Sequence, residues 1–122
     1  MDYEYIKNIL KQTIDSYKIL NELRDKPGDL DIIKKELGKI QGLVQVLVNK
    51  IEKSGNNSDS YSELLSASKS YLKEYNFYNE IDKTSQLYSD DPYRIRNIRL
   101  VILTALEETK LIVRAIALLE VL

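Results

Sequence analysis

The chain of 122 residues contains no cysteine and no histidine. Without cysteine there is neither a disulfide framework nor a thiolate metal site. Without histidine, the usual general base, the commonest transition-metal ligand and the side chain that titrates near neutrality are all missing. Catalytic triads and dyads that need either residue are excluded. So are the Glu-x-x-His metal sites of helical bundles and the four-helix RNases that follow an Arg with a His. Chemistry built on carboxylates, Lys, Arg or Tyr stays open. Yet the adjacent acids Glu107-Glu108 and Asp90-Asp91 cannot share a helix face, and no Gly-rich phosphate loop is present. The expectation is a protein that is not an enzyme and holds no metal or cofactor.

A charge excess is lacking as well. Lysine plus arginine number 18 against 19 acids, for a net charge of −1. That balance argues against a chain whose main role is to coat nucleic acid, although it leaves room for a local basic patch. No stretch reaches the ~18 uninterrupted apolar residues needed to span a membrane. The apolar C-terminal region is interrupted by Glu107, Glu108, Lys110, Arg114 and Glu120. The opening Met1-Asp2-Tyr3-Glu4-Tyr5 carries acids where a signal peptide carries positive charge. A cytoplasmic protein with no membrane segment is expected.

What is present is a helical pattern. Apolar residues make up 43% and charged residues 30%, as in a folded domain. The length fits one domain over 1–122 with a core of its own. The spacing predicts a first helix over about 2–24, with Ile6, Ile9, Leu10, Thr13, Tyr17 and Leu20 on one face. It stops at Asp25-Lys26-Pro27-Gly28. Asp29 is the expected N-cap of a second helix over about 30–53. There Ile33, Leu37, Ile40, Val44, Leu47 and Ile51 form a heptad-like stripe, widened by Leu30, Ile32, Leu43, Val46 and Val48.

Ser54 to Asp59 reads as a flexible linker, and Ser60 with Glu63 as a capping box opening a third helix over about 60–83. Its inward face is Tyr61, Leu64, Leu65, Ser68, Tyr71, Leu72 and Tyr75, and 84–90 reads as a loop. Asp91 as N-cap and Pro92 at the first helical position start a fourth helix. It runs without a breaker over 92–122, about 45 Å long at 1.5 Å per residue. Its expected core stripe is Ile98, Val101, Ile102, Ala105, Thr109, Ile112, Ile116 and Leu119. The predicted fold is all-α: an antiparallel four-helix bundle with a long C-terminal helix.

Four features exceed what such a bundle needs. Leu100, Leu103, Leu111, Leu118 and Leu122 fall opposite the core stripe of the fourth helix, which points to a second interface. The plainer reading is that this helix buries both faces within its own chain. Gly38 and Gly42 lie four apart on the second helix, each costing roughly 1 kcal/mol against alanine. They either let another helix approach closely or sit tolerated on a solvated face. Arg94, Arg96 and Arg99 gather at the start of the fourth helix, where cations oppose the helix dipole. They either pair with Asp90, Asp91 and acids of a neighbouring helix or form a docking patch for phosphate or an acidic surface. Tyr71, Tyr75, Phe77 and Tyr78, interleaved with Lys69 and Lys73, could stack single-stranded bases. Core packing explains Tyr71 and Tyr75 more economically, while Phe77 points away from that stripe.

The leading expectation is a non-enzymatic protein–protein interaction module, an adaptor, small complex subunit or inhibitor, acting as a homodimer through the outer leucines. The alternative is a nucleic-acid-associated subunit that uses the local Arg/Lys patch.

Overall fold

The computed structural model of the chain describes residues 3–26, 30–56, 58–74 and 91–122. Among these, all regular structure is helical: α1 (Tyr3–Glu22), α2 (Leu30–Ser54), α3 (Asp59–Glu74), α4 (Pro92–Glu108) and α5 (Leu111–Val121). The expected N-cap Asp29, the breaker Pro27-Gly28, the aromatics Tyr75, Phe77 and Tyr78, the end of the third helix and the loop 84–90 lie outside the described residues.

α1 buries Ile6, Ile9, Leu10, Thr13, Ile14, Ser16 and Leu20, close to the face that periodicity selects. The Thr13 hydroxyl donates to the Ile9 carbonyl at 2.8 Å, so its polar atom has a partner inside the core. The α2 stripe from Ile33 to Ile51 is buried at every heptad position named above. The helix ends where the Ser54 hydroxyl donates to the Ile51 carbonyl at 2.7 Å. Gly55 then takes a left-handed φ of 67°, a conformation that glycine adopts at little cost.

α3 starts one residue before the expected cap, at Asp59. Ser60 therefore lies inside the first turn, and Glu63 turns to Arg114 of α5 at 2.8 Å instead of back to a cap. Tyr61, Leu64, Ala67, Ser68 and Tyr71 face inward. At the start of α4 the expected geometry is present: the Asp91 carboxylate accepts from the backbone N–H of Tyr93 at 3.0 Å and of Arg94 at 3.3 Å. Pro92 follows at the first position of the helix.

The long C-terminal helix is not found, because the chain breaks at Thr109-Lys110. Thr109 stays right-handed, and its N–H and hydroxyl both donate to the Ala105 carbonyl, at 3.1 and 2.8 Å. Lys110 then adopts φ 62°, ψ 19°, which ends the i→i−4 ladder. Its own carbonyl accepts from Arg114 N–H at 2.9 Å and opens α5.

The break also reverses the phase of burial. In α4 the buried residues are Ile95, Ile98, Arg99, Ile102, Leu103, Ala105 and Leu106. At about 100° per residue, an unbroken helix would carry that face onward to Val113, Ile116, Ala117, Glu120 and Val121. Instead α5 buries Leu111, Ile112, Ala115 and Leu118, the opposite side. Val101 and Ile116, expected in the core stripe, are exposed.

α1 packs on α2, α2 on α3, α3 on α5 and α5 on α1, so four helices close a circuit around the core. α4 contacts α5, α1 and α2.

Candidate functional site

The break at Lys110 decides which apolar residues face out. Leu103 and Leu111 are fully buried and Leu118 nearly so, all within the chain's own core, while Leu100 and Leu122 are half-buried. The expectation that these five leucines project outward is therefore corrected for Leu103, Leu111 and Leu118. α4 turns Leu103 inward, and the reversed phase of α5 does the same for Leu111 and Leu118. On α5 the exposed large apolar side chains are instead Val113 at 62%, Ile116 at 40% and Val121 at 72%. With the exposed Ala117 between them, their spacing of three and four residues puts all four on one face of α5. Glu120 shares that face. These valines and this isoleucine form the candidate site.

Gly42 lies on the exposed side of α2, with nothing within 4 Å of the position a Cβ would take. No described helix of this chain approaches it. Gly38 is half-buried.

The three arginines do not form one patch. Arg94 is exposed and Arg96 half-buried, but Arg99 is only 1% exposed. The Arg99 guanidinium reaches the turn that follows α1, where Nη2 donates to the Arg24 carbonyl at 3.3 Å and also to the Lys26 carbonyl. A cation there pairs with carbonyls of the turn just beyond a helix C-terminus, where positive charge also favours the dipole. Burial pushes the Arg99 pKa below the usual arginine value, and neighbouring Arg96 adds to that, while Asp25 opposes it. Arg96 lies over the Tyr93 ring, 5.8 Å from its centroid, a cation–π contact.

A second polar contact joins α4 to α1. The Tyr17 hydroxyl donates to Glu107 Oε1 at 3.0 Å, and Arg24 donates to the same oxygen. Arg24 is held in turn by the Asn21 side-chain oxygen at 2.9 Å. Partial burial raises the Tyr17 pKa first, then the bond to Glu107 and the carboxylate charge, with Arg24 working against them. Sequence reasoning missed this triad, because its members are up to 90 residues apart and no local pattern links them.

Two clefts flank α5. One, of about 510 Å³, is lined by Glu63, Ser66, Ser70, Glu108, Lys110 and Arg114; the Arg114–Glu63 ion pair, where Nη1 donates at 2.8 Å, forms part of its wall. The other, of about 470 Å³, lies against Tyr3, Lys7, Tyr61, Leu118, Val121 and Leu122. The buried Tyr61 hydroxyl has no hydrogen-bond partner among the described residues. Its burial raises the pKa, and Tyr3 adds a smaller push.

Tyr71 is fully buried, as core packing requires, and Lys69 pairs with Glu52 at 3.0 Å. Among the described residues no group of three or more acids could hold a metal ion. No described helix is long and apolar enough to cross a membrane. Comparison of the chain with protein families, with characterised proteins and with solved structures finds no match.

Proposed function

We propose that this chain is a non-enzymatic protein–protein interaction module, an adaptor, small complex subunit or inhibitor, that works as a homodimer through the outer face of α5. The observation that carries the reading is the exposed row Val113, Ile116, Ala117 and Val121. A helix face this apolar is usually covered. A two-fold axis along α5 would set each copy's row against the other's, the common geometry of a homodimer. The short connections from α1 to α2 and from α2 to α3, together with the closed circuit of contacts, support an antiparallel bundle of α1, α2, α3 and α5 as the scaffold for that face. The nucleic-acid alternative loses its third arginine, since Arg99 is buried.

Sedimentation velocity over a dilution series tests the reading. The wild type is expected to run as a dimer and the Val113→Lys/Val121→Lys double variant as a folded monomer. A wild type that stays monomeric at every concentration overturns it.

A further inference from the structure

The outer face of α5 is short. Eleven residues make a helix about 16 Å long and about 10 Å wide. A stable dimer buries on the order of 800 Å² on each partner, which is several times the footprint of such a helix. Facing rows of Val113, Ile116, Ala117 and Val121 do not reach that area alone.

Two observations show where the rest would come from. First, the exposed row is in phase with the buried face of α4: it is where that face would continue if α4 and α5 were one helix. Second, only one residue stands between the two states. Thr109 is already right-handed, and its hydroxyl bond to the Ala105 carbonyl is one that a continuous helix keeps. Lys110 alone holds a left-handed backbone, where a side chain with a Cβ is strained. Rotating Lys110 into the right-handed region relieves that strain and joins α4 to α5.

We infer that two copies of this chain exchange α5. Lys110 is the hinge, and the opened α4–α5 helix seats Leu111, Ile112, Ala115 and Leu118 between α1 and α3 of the other copy. The occupant of each α1–α3 groove is thus a segment chemically identical to the one it replaces, so no core contact of α5 is lost. The gain is the released hinge plus a new contact in which the rows of the two straightened helices meet near the two-fold axis. Short strained hinges are where such exchange is found. The inference rests on the homodimer proposed above and states how its interface is built.

The test uses the Glu63–Arg114 contact between α3 and α5. The chain has no cysteine, so Glu63→Cys with Arg114→Cys supplies the only two thiols, which a short bis-maleimide can bridge. The dimer fraction is isolated, treated and run on a denaturing gel. Exchange predicts a covalent dimer. Linkage within single chains, from a fraction that sediments as a dimer, overturns the exchange and leaves the homodimer standing. A chain that is monomeric throughout overturns both.

Lys110→Gly gives an independent readout. Glycine removes the left-handed strain from the closed form and weakens the straight helix, together about thirtyfold per hinge. The dimerisation constant is expected to fall about a thousandfold, since each dimer has two hinges. An unchanged constant overturns the exchange.

Discussion

Arg99 donates to the backbone carbonyl of Arg24, 75 residues earlier in the chain, at 3.3 Å. A residue of the apparent basic patch is therefore a buried strut, closing the end of α1 from the first half of α4. Arg99→Ala removes a packed side chain and two hydrogen bonds, and is expected to cost about 3 kcal/mol in urea unfolding. Arg94→Ala, at an exposed position, is expected to cost under about 1 kcal/mol. Equal and small effects of the two would contradict the strut.

Leu103 and Val113 provide a second contrast. Leu103, expected on the outer side of the predicted helix, is fully buried, while Val113, which lies in neither its core stripe nor its outer row, is largely exposed. Leu103→Ala is expected to destabilise the chain by about 3 kcal/mol through the cavity it leaves. Val113→Lys is expected to change monomer stability by less than about 0.5 kcal/mol. Chemical denaturation at a protein concentration below the dimerisation range separates these effects from association.

Gly42→Ala is expected to stabilise the fold by about 0.5–1 kcal/mol. The new methyl group meets nothing within 4 Å among the described residues, and α2 is helical on both sides of it. A raised melting temperature checks this. A loss of stability would mean that the space above Gly42 is filled.

Tyr17 and Tyr61 govern the alkaline limit. Both pKa values lie above the ordinary 10.0 in the folded chain, so the neutral phenol is the form that folding favours. Below pH 10 both states keep their protons and the contribution is whole. Above it the unfolded chain loses protons first, and stability falls by up to 1.36 kcal/mol per pH unit for each tyrosine until the folded pKa is passed. Tyr17→Phe with Tyr61→Phe is expected to flatten the loss measured by urea midpoints from pH 9 to 11.

The helices legible in the sequence are those whose two faces differ. α1 and α2 each present one apolar stripe and one charged face, so periodicity selects both the element and its inward side. The start of α4 is legible because Asp91 and Pro92 are local signals with a local geometry. The break at Lys110 is not. Glu107-Glu108-Thr109-Lys110 contains no glycine or proline, and all of it but the β-branched Thr109 suits a helix. Beyond it, residues 111–122 are apolar on both sides, so spacing alone gives no reason to prefer Leu111 and Leu118 over Val113 and Val121. Burial of Arg99 did leave a trace: it lies four residues after Ile95 and three before Ile102, on the face those two define. Its charge, read as exposure, outweighed its register. The candidate surface followed from the break, and so could not be read before the break was seen.

The circuit of packed helices also has an order in time. As the chain is synthesised, α1, α2 and α3 emerge in sequence and can pair as they leave the ribosome. The groove between α1 and α3 then waits for α5, which follows after 36 intervening residues. At ~5–20 residues per second the wait is on the order of seconds. During it the groove is open to any apolar helix of the right shape. Where neighbouring ribosomes on one message hold copies of the chain close together, that helix can be the α5 of another copy.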